Sequence, residues 1–198
     1  MRASTAARAA LAALAAAEGA AAMARYESRR EQFALASAAA RASGSRLVVV
    51  GDPNGGAHTR IVAAYGCGDV CVDLSACPAC PTGVGVDLTR DRVPGVGDGE
   101  AVVFVSCTLE YVSDYGAAWR EVLRMAGDPS RVYMATVQPL TATAALYPGA
   151  RRTLSRSADG ASWVPTDVPA AAKLALVAAV AGLGYLALGG ADRRLSGG

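Results

Sequence analysis

Between Arg46 and Asp73 the chain reads RLVVVGDPNGGAHTRIVAAYGCGDVCVD, and its glycines and acids are spaced to receive a ligand. Gly51-Asp52-Pro53-Asn54-Gly55-Gly56 is a bend, in which Pro53 fixes φ and the glycines accept positive φ. Asp73, with Leu74 beside it, stands 22 positions after Gly51. A carboxylate about 20 residues beyond a glycine bend can accept hydrogen bonds from ribose hydroxyls, while the bend brings backbone close to a ligand at a helix N-terminus. Farther on, Glu110 and Tyr111 follow the apolar run AVVFV and offer a carboxylate and a phenol that could position an acceptor or take a proton. His58 is the only histidine, and its place near the start of a short helix reads as solvent-facing.

Five cysteines form a second constellation, Cys67-x3-Cys71-x5-Cys77-x2-Cys80, with Cys107 apart. Four thiolates can hold tetrahedral zinc, and CPAC is a typical half-site, but the other half lacks the paired spacing. A small buried thiol at Cys71, a rigid proline-bearing loop at CPAC and a redox pair at Cys77 and Cys80 stand beside the metal reading, with Cys107 structural. An odd number of cysteines in a chain too long to need staples argues for reduced thiols in a cytoplasmic compartment.

These residues need a scaffold, and the pattern around them supplies one. Leu47 to Val50 form a β-branched run too short for a helix, which reads as a strand buried on both faces. The pattern then predicts a helix over His58–Tyr65 and strands over Val70–Val72, Val84–Val86, Ala101–Val105 and Val132–Val137. Between the last two strands, Ser113 or Asp114 caps a helix over Tyr115–Met125, with Ala118, Val122 and Met125 at helical spacing and Gly127-Asp128-Pro129 as its stop. Strands alternating with helices indicate a mostly parallel sheet with right-handed crossovers. DRVPGVGDGE reads as a polar connection, and RRTLSRS as an exposed basic loop or an edge strand.

Composition narrows the classes. The 198 residues suit one α/β domain with extra helix. Hydrophobic residues make up 53%, charged ones only 18%, and mean hydropathy is +0.27, so part of the chain is expected to meet lipid. A net charge of +2 builds no extended basic field, which argues against nucleic acid as a partner.

Residues 3–24 are nearly all Ala and Leu and predict a helix that continues, past the charged cluster Arg25–Glu31, to about Arg41. A surface helix, a cleaved targeting segment and a membrane helix all remain open for its first part. Between Lys173 and Asp192 lie 18 uncharged residues, close to the roughly 20 that span hydrocarbon. Pro169–Ala191 therefore reads as a single-pass helix, its flanking basic residues at the interfaces, with the domain facing the cytoplasm. Ala175, Ala179 and Gly182 give that helix a small-residue face through which a homo-oligomer could pack. The expected organisation is a helical segment at 1–45, an α/β domain at 46–166 and the apolar helix at 169–191.

Taken together, the bend after the first strand, Asp73, Asp87-Leu88 after the third strand and Ser106-Cys107-Thr108-Leu109-Glu110-Tyr111 after the fourth resemble the class I S-adenosylmethionine-dependent methyltransferase family, over about residues 46–139. The resemblance implies a Rossmann-like fold. It implies S-adenosylmethionine as cofactor, with Gly51, Asp52, Asn54, Gly55 and Gly56 around its amino-acid part, Asp73 and Leu74 at the ribose, and Asp87 and Leu88 near the adenine. It also places Ser106 beside the cofactor, with Glu110 and Tyr111 as candidates to act on a small-molecule or membrane-proximal acceptor. Val48, Val49 and Val50 fill a strand that in the family usually carries an acid, and Pro53 stands where glycine is common. Those departures support the alternative, a non-catalytic membrane-associated scaffold of the same fold.

Overall fold

The computed structural model describes residues 2–54, 64–136, 149–158 and 162–195. The chain forms two compact units, one from Met1–Met23, Gln138–Arg151 and Asp167–Gly198, the other from Ala24–Val137 and Arg152–Thr166. Their element order is α1 (Arg2–Ser43), β1 (Arg46–Val50), β2 (Val70–Asp73), β3 (Gly83–Gly85), β4 (Ala101–Ser106), α2 (Tyr115–Ala126), a 3-10 turn (Pro129–Arg131), β5 (Val132–Ala135), β6 (Arg152–Arg156), β7 (Trp163–Asp167) and α3 (Ala170–Leu195).

In the larger unit five strands make one sheet in the order β3-β2-β1-β4-β5, and every neighbouring pair is parallel. Strand side chains alternate between the two faces, so each apolar strand feeds two cores. Val48, Val50, Val72, Val103 and Val105 point to one face, where they meet Ala118, Val122 and Met125 of α2. Leu47, Val49, Cys71, Val102 and Phe104 point to the other, where Phe33, Ala36 and Ala40 of α1 cover them. The sheet is thus an α/β layer with a helix on each side, as the valine runs predicted.

Both covering helices end where their sequences direct. Asp114 accepts a hydrogen bond from Ala117 N at 2.9 Å, and Gly127, at φ +73°, closes α2 by donating to Leu123 O. Gly44, at φ +63°, follows the last turn of α1. The connection 86–100 is less polar in effect than its composition suggests: Val93 and Val96 are buried in the core. Glu121 ties it down, accepting from Val93 N at 2.7 Å and pairing with Arg124, whose Nη1 donates to Val96 O at 2.9 Å.

Some boundaries differ from expectation. The third strand starts at Gly83, because a Cβ there would sit 2.5 Å from Cys77 O and the sheet edge must carry glycine. RRTLSRS is a strand, β6, and pairs with β7 in a separate two-stranded sheet. The helix expected over His58–Tyr65 falls mostly outside the described residues, and Tyr65 itself lies outside any helix. In the smaller unit, α3 has an 18-residue stretch of mean hydropathy 1.8 over Ala170–Ala187, of which only 6% is buried. The most apolar stretch of α1 reaches 1.3, so among the described residues two helices are long and apolar enough to cross a membrane. They meet at Arg8, whose Nε donates to Ala187 O at 3.4 Å.

Candidate functional site at the C-terminal ends of the strands

The bend after β1 and the acid that ends β2 come together. Gly51 N donates to Val72 O at 2.8 Å, and Asp52 N donates to Asp73 Oδ2 at 3.1 Å. Ser75 approaches Asp73 from the far side, its N and Oγ each 3.3 Å from Oδ1, and Asp52 Oδ1 accepts from Asn54 N at 2.9 Å. Gly51 sits at φ +106°, where a Cβ would lie 2.6 Å from Thr108 Oγ1 and 2.7 Å from Ser106 O. Glycine is therefore required because the end of β4 packs against the bend.

Other residues singled out in the sequence distribute unevenly. Gly55 and Gly56, with His58, lie outside the described residues. Leu74 is 74% exposed, whereas Leu88 is buried within the core on the α2 side of the sheet. Asp87 Oδ1 accepts from Thr89 N at 3.0 Å and Thr89 Oγ1 at 2.6 Å, which holds the carboxyl below its ordinary range. Ser106 is buried, and its Oγ meets no partner of good geometry. Glu110 is 1% exposed and engaged within the fold, while Tyr111 is 38% exposed, and burial raises its phenol above the usual value.

Further residues join this end of the sheet. Tyr65 donates to Asp52 O at 3.0 Å, so its ring straps the bend, and burial pushes its hydroxyl up to about 12. Its ring stands edge-on to Phe104 with centroids 5.1 Å apart, and Phe33 of α1 completes the aromatic cluster at 5.6 Å from Phe104. One and two turns before Phe33 on the same face of α1 come Arg29 and Arg25. The charge of Arg29 reaches Cys107, Tyr65 and Tyr111, and that of Arg25 reaches Cys107 and Tyr111. Cys107 occupies φ +49°, an uncommon backbone for a side-chain-bearing residue, and donates its N–H to Ala135 O at 2.8 Å. Burial raises its thiol to about 11 although Arg29 pulls the other way.

The charged cluster Arg25–Glu31 is only partly solvated. Arg30 pairs with Glu27 at 3.8 Å in solvent, but Arg25 and Arg29 turn inward, each with one nitrogen fully buried and unpartnered. The available signal was their spacing: four residues apart, in register with Phe33, Ala36 and Ala40.

The cysteines are corrected outright. Reduced thiols were expected, but Cys67 pairs with Cys80 and Cys71 with Cys77, fastening the segment between β1 and β3, and Cys107 is free. The four thiols that could have made a zinc site are consumed. Among the described residues no group of three or more His, Cys, Asp or Glu is arranged to hold a metal. No protein-family model, curated protein or solved structure matches the chain.

Proposed function

We propose that the α/β unit binds S-adenosylmethionine at the C-terminal end of its sheet and methylates a small-molecule or membrane-proximal acceptor, with α3 as its membrane anchor. The observation that carries this reading is the hydrogen bond from Asp52 N to Asp73 Oδ2 at 3.1 Å, which joins the bend after β1 to the acid of the adjacent strand. The strand order β3-β2-β1-β4-β5 supports it, being that of Rossmann-like sheets, whose ligands lie beyond the strand ends where the order turns, here between β1 and β4.

The residues fit such a ligand in part. Asp73 is half-buried, and each of its oxygens keeps acceptor capacity beyond the Asp52 and Ser75 contacts, so it would hold the ribose hydroxyls. The amides of Asp52 and Asn54 are already used within the bend. When bound, the cofactor supplies a sulfonium methyl group, whose carbon–sulfur bond breaks as the acceptor's bond to carbon forms. The chain's task is alignment. Tyr111, accessible and with its proton held more tightly than usual, suits a hydrogen-bond donor to the acceptor better than a base.

Titration calorimetry of the full chain in neutral detergent tests the reading. Saturable heat with S-adenosylmethionine, weakened about tenfold or more by Asp73→Ala, is expected. A folded protein that gives no heat with either S-adenosylmethionine or S-adenosylhomocysteine would instead favour the non-catalytic scaffold, which the burial of Glu110 already favours over an enzyme using that carboxylate as base.

A further inference from the structure

Arg25 and Arg29 present an electrostatic imbalance within the larger unit. Like charges four residues apart on one helix face repel, and taking guanidinium groups out of water is costly unless an anion compensates them. Among the described residues neither forms an ion pair, and Arg25 Nη2 and Arg29 Nε are buried without hydrogen-bond partners. Of the groups around them, Cys107, Tyr65 and Tyr111 hold their protons near neutral pH, and Glu110, whose charge reaches Cys107 and Tyr111, forms no ion pair with either arginine. Phe33 fixes this part of α1 by packing its ring on Phe104 and Tyr65, which keeps the two side chains over the end of β4.

We propose that Arg25 and Arg29 form a binding site for an oxyanion, a phosphate or carboxylate group carried by a ligand that enters beside Cys107 and Tyr111. A planar guanidinium donates two parallel hydrogen bonds to such a group, and two of them around one anion remove both the repulsion and the unpaired donors. Tyr111, 38% exposed, marks the open side of the site and can donate a further hydrogen bond. This inference is independent of methyl transfer and stands if that reading fails.

The test uses the full chain in discs of phosphatidylcholine, with inorganic phosphate as probe against chloride of equal ionic strength. Phosphate should raise the melting temperature saturably, and Arg25→Gln or Arg29→Gln should each weaken the apparent affinity by about tenfold. Arg30→Gln, which removes the same charge from a solvent-exposed pair, should leave it unchanged. In the absence of phosphate, Arg29→Gln should melt no lower than the parent, because it relieves repulsion. Binding of free phosphate in the neutral discs identifies a soluble ligand; an arginine-dependent stabilisation seen only when phosphatidic acid is added identifies a lipid headgroup. No saturable effect from phosphate, acetate or phosphatidic acid, or equal effects in the parent and both variants, would overturn the proposal. Titration with S-adenosylmethionine in the same variants keeps the two questions apart, since the cofactor reading rests on Asp73.

Discussion

Tyr65 shows how a single side chain sets the shape of the C-terminal end of the sheet. Its hydroxyl holds Asp52 O and its ring packs on Phe104, so it joins a loop to a strand at one point. Burial raises its pKa from 10.0 to about 12, which means that above about pH 10 the unfolded chain has released a proton that the folded chain still holds. Stability must then fall as pH rises through that window. Tyr115, also raised to about 12, adds to the same effect. Tyr65→Phe should lower stability near neutrality by about 1 kcal/mol through the lost hydrogen bond and should reduce the alkaline loss, the share from Cys107, Tyr111 and Tyr115 remaining; thermal melts between about pH 10 and 12 would show an unchanged slope if the hydroxyl were solvated.

At the scale of elements, helix ends carry measurable energy. Asp114→Ala should cost α2, and with it the sheet face it covers, about 1 kcal/mol in a denaturant titration, because Ala117 N loses its acceptor. That cap, its closing Gly127 and the heptad-like spacing of Ala118, Val122 and Met125 were readable because each is a local rule obeyed locally. The valine runs of β1 and β4 were readable for the same reason. β7 was not: Pro165 interrupts WVPTD and argues against a strand, yet in a two-stranded sheet an edge position has no ladder partner to lose. Arg25 and Arg29 stayed hidden because a basic cluster usually marks a wet helix face, and only the position of Phe104 and Cys107, far away in sequence, turns that face inward. The cysteine pairing was out of reach too, since spacing leaves three ways to join four thiols and the choice is made when β2 and β3 come side by side.

For the molecule as a whole, the central question is what α3 does. Deleting residues 169–198 removes the more apolar of the two candidate spans, and the shortened chain should move from the membrane pellet to the supernatant after a carbonate wash. Retention in the pellet would show that α1 also inserts, making two anchors where one was expected. The disulfides bear on which side the α/β unit faces. Paired cysteines persist in oxidising compartments, which sets them against the cytoplasmic orientation read from the sequence. Their arrangement is nested, the Cys71–Cys77 bridge lying inside the Cys67–Cys80 loop, so both can close within one short segment before the rest of the chain has condensed. The fifth thiol, at Cys107, is reluctant to ionise, and it therefore makes a poor attacking group for scrambling. Oxidative maturation of this protein should accordingly be local, with little scrambling through Cys107 once the sheet has formed.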